Sequence, residues 1–555
     1  MFGVYRLLEE WGIDWIKPGP LGTRYPERCD TPDVKIIEKA AKRHRIMCIE
    51  GACSIENCLD MIEWLPKRCF NGYYIQFDNA FIFFERWYTH RRNPYKEPEE
   101  FTVEKSYEYV KMMTEEIKKR GLLLHRMGHG WTCEPFGIPN MGWDPVDPAT
   151  IPKEYNDICA LVKGERKCWK DIPVRTQLCY SKPFVQKTMV DAVLKYVHDN
   201  PETDVVHFWL GDDINNTCEC EDCTKLHYSD YYVNIVNQIT DEFVKEGIEK
   251  KVVFSIGYNK QCPPKEIKLK HPDRAIMMFA PITRTYGESF PNEFKIKSSH
   301  EYKVNAFDYP TSVDENLAMV YNWERYTDAD ILDFDYHLMW DHLLDAGGEC
   351  ISRVIYEDIR NFDSLGLNGY ISCQLQRNAF PTSLAMTVMG KVLWNNDVNF
   401  EDIKRELYET SFGADSVDAI SEYLGTLSKA FNPGYLRSQI KVDPKVFRKN
   451  MEEALKAMTE FEGYIDAHID NADPIIKDHY ELLKLGKEIY YNVGLSALAK
   501  LDDKAELAKE YHDKASEIIM KNEDKLQAVY DCMHGVSVTG YRVNMKGMIA
   551  FTDEV

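Results

Sequence analysis

Over the first two-thirds of the chain, short apolar runs alternate with longer stretches of helical period. This alternation marks βα units feeding a parallel sheet. The apolar runs are 46–50, 73–78, 122–125, 205–211, 252–258, 275–280, 331–337 and 368–373, and most end on a Gly, Pro, Asn or Asp signal. Amphipathic stretches such as 103–120, 183–198, 228–246 and 352–365 lie between them. Eight such units predict an α/β fold, a (β/α)8 TIM barrel over residues 41–398 with inserted loops. A doubly wound sheet is the alternative, but no Gly-rich phosphate loop follows an early strand to support it. From Phe400 onward only the helical period persists. Residues 446–469, 474–499 and 502–524 read as long helices, and Asp473-Pro474 offers an N-cap with proline at the first helical position. An all-α C-terminal domain over 399–555 is therefore predicted.

Composition narrows the function classes. With 555 residues, 44% hydrophobic, the chain has ample material for a large core. Its formal net charge of −22 argues against nucleic acid and against an anionic membrane surface. No apolar run approaches the ~20 residues of a membrane helix. The first residues show no basic region followed by an apolar stretch, so a cytoplasmic protein is expected. Its 16 cysteines are then expected to be mostly thiols.

In a barrel the working side chains sit at strand C-termini and in the loops beyond. That rule selects Asp78 and Asn79, His125 with His129 and Trp131, Trp209 with Asp212 and Asp213, Tyr258 and Asn259, Asp335 to His337, and Gln374 with Gln376 and Arg377. Carboxylates, amides, imidazoles and aromatic rings at one mouth suit a polyhydroxylated ligand, whose rings stack and whose hydroxyls need paired donors and acceptors. Asp212-Asp213 is the sharpest signal. Adjacent carboxylates repel, so one should hold its proton while the other ionises. Neighbours in an extended segment point opposite ways, so they cannot form the facing pair of an ordinary retaining glycosidase. They could serve a substrate-assisted one, in which one acid orients a 2-acetamido group and the other protonates the leaving oxygen. A helix N-cap or turn is the competing reading of the same two residues.

Cys218, Cys220 and Cys223 follow closely, spaced to share a structural zinc, with Cys179 as the fourth ligand and Cys133 in reserve. A set of free thiols is the alternative. No cofactor is expected to take part in catalysis.

The run His129-Gly-Trp131, Pro152-Lys-Glu-Tyr155, Gln177-Leu-Cys179-Tyr-Ser-Lys-Pro183, Trp209-Leu-Gly-Asp-Asp213 and Cys218-Glu-Cys220-Glu-Asp-Cys223 resembles a bacterial glycosidase-like domain. One branch of that family comprises endo-β-N-acetylglucosaminidases acting on N-glycans. The resemblance spans roughly residues 1–400 and implies a barrel, an acetamide-assisted retaining mechanism and a catalytic acid at Asp213. It makes residues 1–40 the entry helix and remnant of an N-terminal α/β domain, and it matches a second acid to Asp335. Asp212 departs from the family pattern, where an amide is common, and is instead similar to the paired acids of other acetamide-assisted hexosaminidases.

The expectation from sequence is an exo-acting retaining β-N-acetylhexosaminidase for GlcNAc or GalNAc glycosides. Asp213 is assigned as general acid/base, Asp212 as acetamide-orienting group and Asp335 as supporting carboxylate. His125, Trp209, Tyr258, Asn259, Tyr336, Trp340 and Gln374 are assigned to sugar contact. Two rivals stand beside it: an inverting hydrolase of α-linked uronic acids, using Arg126, Arg284 or Arg377 for the sugar acid, and a non-catalytic glycan-binding protein. Homo-oligomerisation is left open.

Overall fold

The structure is a computed structural model that describes residues 2–27, 32–256, 262–297, 301–310 and 312–539. Each of the eight apolar runs becomes a strand: β1 (His44–Cys48), β2 (Gly72–Gln76), β3 (Leu123–Gly128), β4 (Val205–Phe208), β5 (Lys251–Ser255), β6 (Ala275–Phe279), β7 (Asp330–Asp335) and β8 (Gly369–Cys373). The strands pair in parallel in sequence order, and β8 closes on β1 through Gly369↔His44 and Cys373↔Cys48. The result is a closed (β/α)8 barrel followed by a helical C-terminal region.

The register sorts side chains to the two faces. Ile46, Cys48, Tyr74, Val205, Val253, Ile276, Met278, Leu332, Phe334, Ile371 and Cys373 pack together inside the barrel. The alternate residues face the surrounding helices, including Val103–Lys119, Pro183–Asp199, Tyr228–Glu246 and Glu349–Asn361, and join the larger core there. Period two thus points toward the mouth those residues that continue the inward series just past a strand end.

Beyond the barrel, Pro444–His468, Pro474–Leu501 and Ala505–Lys521 form the long helices expected. Asp443 and Asp473 each cap a helix that starts with proline, their carboxylates accepting backbone N–H groups. The short helix Cys532–Thr539 returns to the barrel. Asp531, just before it, accepts from the backbone N–H of Ala52 at 2.8 Å, in the loop after β1. No helix among the described residues is long and apolar enough to cross a membrane.

Candidate active site

A cavity of about 380 Å³ opens at the C-terminal ends of the strands. A larger one, about 430 Å³, lies at the opposite end, between the N-terminal helix Phe2–Glu10 and residues such as Arg68 and Trp394. Barrel chemistry belongs to the C-terminal face, so the smaller cavity is the candidate site.

Its floor is set by β1. Ile46 and Cys48 point inward, and two residues on, Glu50 continues the series into the cavity. The side chain is buried, with its Oε1 accepting from Cys373 Sγ at 3.6 Å. Burial pushes the Glu50 carboxyl from its ordinary 4.5 up to about 7, although Arg86, Cys373 and the Gly51 N–H favour the charged form. Gly51 turns the chain at φ +86, and a Cβ there would meet Asp531 Oδ2 at 2.5 Å. Glycine is what lets the C-terminal segment dock beside Glu50.

The opposite wall comes from β4. Trp209 continues its inward series, standing edge-on to His129 with ring centroids 4.8 Å apart. The chain then passes so close to residues 174–177 that a Cβ on Gly211 would lie 2.5 Å from the Thr176 carbonyl oxygen. Asp212 is fixed by its backbone: its N–H donates to Val174 at 3.0 Å, and its carbonyl accepts from Asn216 Nδ2 at 2.9 Å. Its carboxylate lines the cavity and accepts from Trp143 Nε1 at 3.0 Å. Tyr336 and Trp340 complete an aromatic wall, their rings parallel within 9° and 5.6 Å apart.

Several of the residues assigned from sequence lie away from the cavity. Asp213 takes a left-handed φ of 72, and its carboxylate turns to Lys170 Nζ at 2.6 Å and Trp169 Nε1 at 2.9 Å. It is not among the residues lining the cavity. Although burial opposes it, the Lys170 and Trp169 hydrogen bonds hold this carboxyl below its ordinary range. A carboxylate so held, and turned away from the cavity, is a poor proton donor, which speaks against Asp213 as the general acid.

Asp335 alternates to the outer face of β7. There it is fully buried with Arg284 at 3.0 Å, while Arg284 also binds Asp358 at 2.8 Å. It closes a charged cluster between barrel and helices and does not reach the cavity. Gln374 likewise faces outward, bonded to Ser372 and against Met386. His125 lies beneath the floor, its Nδ1 2.9 Å from His207 Nε2, where burial and neighbouring His44 pull its pKa down to about 3. His129, four residues on, reaches the cavity instead. Tyr258 and Asn259 lie outside the described residues.

The arginines expected to bind a sugar acid are also occupied elsewhere. Arg126 donates to the Asp78 carbonyl at 2.8 Å, Arg284 is sealed in the outer cluster, and Arg377 binds the Ala52 carbonyl and Ser54. Among the described residues, the basic side chains lining the cavity are Arg86, from helix Phe81–Tyr88, and Arg175, and His534 of the C-terminal helix also lines it.

Glu50 was available to sequence reasoning, because it ends the first apolar run in phase with Ile46 and Cys48. Arg86, Arg175 and His534 carry no such signal, for their placement depends on loop paths and on a contact nearly 500 residues distant along the chain.

Cys179, Cys218, Cys220 and Cys223 come together with their sulfurs all within 4.8 Å of one another. Cys133 stays apart, its thiol against the Gly130 carbonyl. A second group that could hold a metal, Asp335, His337 and Asp358, already has Arg284 as its cation.

Fold and cavity together define a (β/α)8-barrel protein with a carboxylate-bearing, aromatic-walled pocket at the C-terminal mouth. Within that class the chain belongs to the family described as Domain of unknown function (DUF4838), which matches residues 73–425. No curated protein matches it. Among solved structures it is similar to a GH138 enzyme targeting pectin rhamnogalacturonan II, with 12% identity and a TM-score of 0.50 over 90% of this chain. The chain spans 64% of that enzyme's length. It is also similar to a GH89 enzyme from Clostridium perfringens solved with GlcNAc-α-1,4-galactose, at 13% identity and a TM-score of 0.49, covering 94% of this chain and 58% of that one. A third is an O-GlcNAc hydrolase from Thermobaculum terrenum, at 12% identity and a TM-score of 0.39, covering 90% and 94%. At these identities the likeness concerns the fold.

Proposed function

We propose that this chain is a glycoside hydrolase whose working acids are Glu50 and Asp212. The observation that carries the reading is the contrast between two carboxyls on one cavity. Glu50 is buried and poised near neutrality, whereas Asp212 is held by an indole N–H at an aromatic wall. A group that titrates near 7 can give and retake a proton at neutral pH.

The finer reading is a retaining, exo-acting β-N-acetylhexosaminidase in which the substrate acetamide is the nucleophile. Protonated Glu50 donates to the glycosidic oxygen as that bond breaks. The acetamide oxygen attacks the anomeric carbon, closing an oxazolinium ring, while Asp212 holds the acetamide N–H. Glu50, now a carboxylate, takes a proton from the water that reopens the ring. Tyr336, Trp340 and Trp209 supply faces for the sugar, and Met278, Ala280 and Ile282 supply apolar lining for the acetamide methyl. Residues 41–398 would form the catalytic unit and 399–555 its helical companion.

One observation favours a second reading. Arg86 and Arg175 on the cavity suit a sugar carboxylate, as a hydrolase of α-linked uronic acids would require. A panel of nitrophenyl glycosides separates the two. Cleavage of N-acetylhexosaminides, lost in Glu50→Gln and Asp212→Asn, is the expected result. Cleavage of uronides alone would establish the second reading, and hydrolysis that survives both substitutions would remove these acids from the mechanism.

A further inference from the structure

We propose that Cys179, Cys218, Cys220 and Cys223 bind one zinc ion as four thiolates, in a closed structural site that clamps the loop carrying Asp212. Cys179 Sγ lies 3.7 Å from Cys220 Sγ and 3.8 Å from Cys223 Sγ. A tetrahedron with Zn–S bonds of about 2.3 Å has edges of about 3.8 Å. The same separations are far beyond the ~2.05 Å of a disulfide. Two edges of the group thus match a tetrathiolate site, and all four sulfurs lie within 4.8 Å of one another.

The surroundings suit a charged centre better than bare thiols. The backbone N–H of Leu161 donates to Cys218 Sγ at 3.3 Å, Arg166 Nη1 approaches the same sulfur at 3.8 Å, and Ser181 Oγ lies 3.2 Å from Cys223 Sγ. Four thiolates on a divalent cation leave a net charge of −2, which N–H donors and a guanidinium offset. The ion would also supply what this corner lacks. Ala160, Val162, Cys179, Cys218 and Cys223 form a small apolar cluster separate from the main core. Three chain segments meet on it: the hairpin 161–166, the approach to helix Pro183–Asp199, and the loop after β4. Five small buried residues, with Leu161 and Trp169 packed against them, make a small core for three segments, and a metal would add to what it provides.

The clamp reaches the cavity through Asn216, two residues before Cys218. Its Nδ2 donates to the Arg175 carbonyl at 2.7 Å and the Asp212 carbonyl at 2.9 Å. The cysteines themselves do not line the cavity, so the ion would stabilise and position, with no open coordination place for a substrate.

The test uses the full chain purified without chelator or added metal. Elemental analysis should find one zinc per chain, released when a mercurial reagent titrates the thiols. Refolding with cobalt(II) should give the intense thiolate-to-cobalt bands of a tetrahedral S4 site, unchanged by azide. Cys220→Ser should lose the metal, whereas Cys350→Ser, outside the cluster, should keep it. Should Cys220→Ser fail to fold, the wild-type metal content and cobalt spectrum decide alone. Wild-type protein that holds no zinc while its thiols react freely, or iron in its place, overturns the assignment. Azide-shifted cobalt bands overturn the closed site.

Discussion

Replacing Glu50 with glutamine keeps the shape of the side chain and removes its proton equilibrium. The wild-type carboxyl rises from 4.5 to about 7 on folding. Each pKa unit is worth about 1.4 kcal/mol, so ionised Glu50 costs the folded state about 3 kcal/mol. The sign follows from the direction of the shift. A carboxyl with a raised folded pKa is not destabilising below about 4.5, and its cost grows as pH rises to about 7, where it levels off. Glu50→Gln should therefore match wild type at pH 4.5 and be more stable by about 3 kcal/mol at pH 8. For 555 residues, at roughly 2 cal/mol/K of unfolding entropy per residue, that is a Tm gain of about 3 °C. Turnover should move the other way, falling by at least ~10²-fold with the loss of general acid–base help. Wild-type kcat/KM should decline above pH about 7 as Glu50 loses its proton. Scanning calorimetry at both pH values and a nitrophenyl assay give the two readouts. A variant that is no more stable at pH 8 than at pH 4.5, relative to wild type, would refute the burial argument, and undiminished turnover would refute the role.

Asp212→Asn should lower kcat by ~10²-fold or more with little change in Tm, whereas Asp213→Asn should lower it less than ~10-fold. The latter loses a partly exposed ion pair with Lys170, worth ~0–1 kcal/mol, and disturbs the hydrogen bond from Trp169, and equal losses in the two would support Asp213 as a catalytic acid. Trp340→Ala removes one face of the stacked pair and should raise KM by ~10-fold, with kcat changed less, as steady-state kinetics would show. Arg284→Met strands two buried carboxylates and should cost about 3–5 kcal/mol in urea denaturation; a loss under ~1 kcal/mol would show that the cluster adds little.

The barrel was legible because its signal is local. Eight apolar runs with turn residues at their ends could be counted, and each became a strand within a few residues of its expected bounds. The site was most legible where strand phase decides. Trp209 and Tyr336 continue inward series and line the cavity, and Glu50 does so by the same rule. Asp335 carries the opposite phase and faces Arg284 on the outside. Past the strand ends, phase is lost. Nothing in the order Asp212-Asp213 tells which acid turns inward, because that depends on the left-handed backbone at Asp213 and on Lys170 and Trp169, more than 40 residues away. Arg86 and Arg175 depend on loop paths in the same way.

The contact between Asp531 and Ala52 has a bearing on how this chain can be cut or recombined. Because the segment around His534 walls the pocket that Glu50 floors, an excised barrel ending near residue 398 would present an incomplete pocket. Chimeras exchanging the helical half would import a foreign wall along with it. The barrel and the helical region share one pocket wall, and a truncation series should lose ligand affinity once it passes His534, well before it touches a barrel strand.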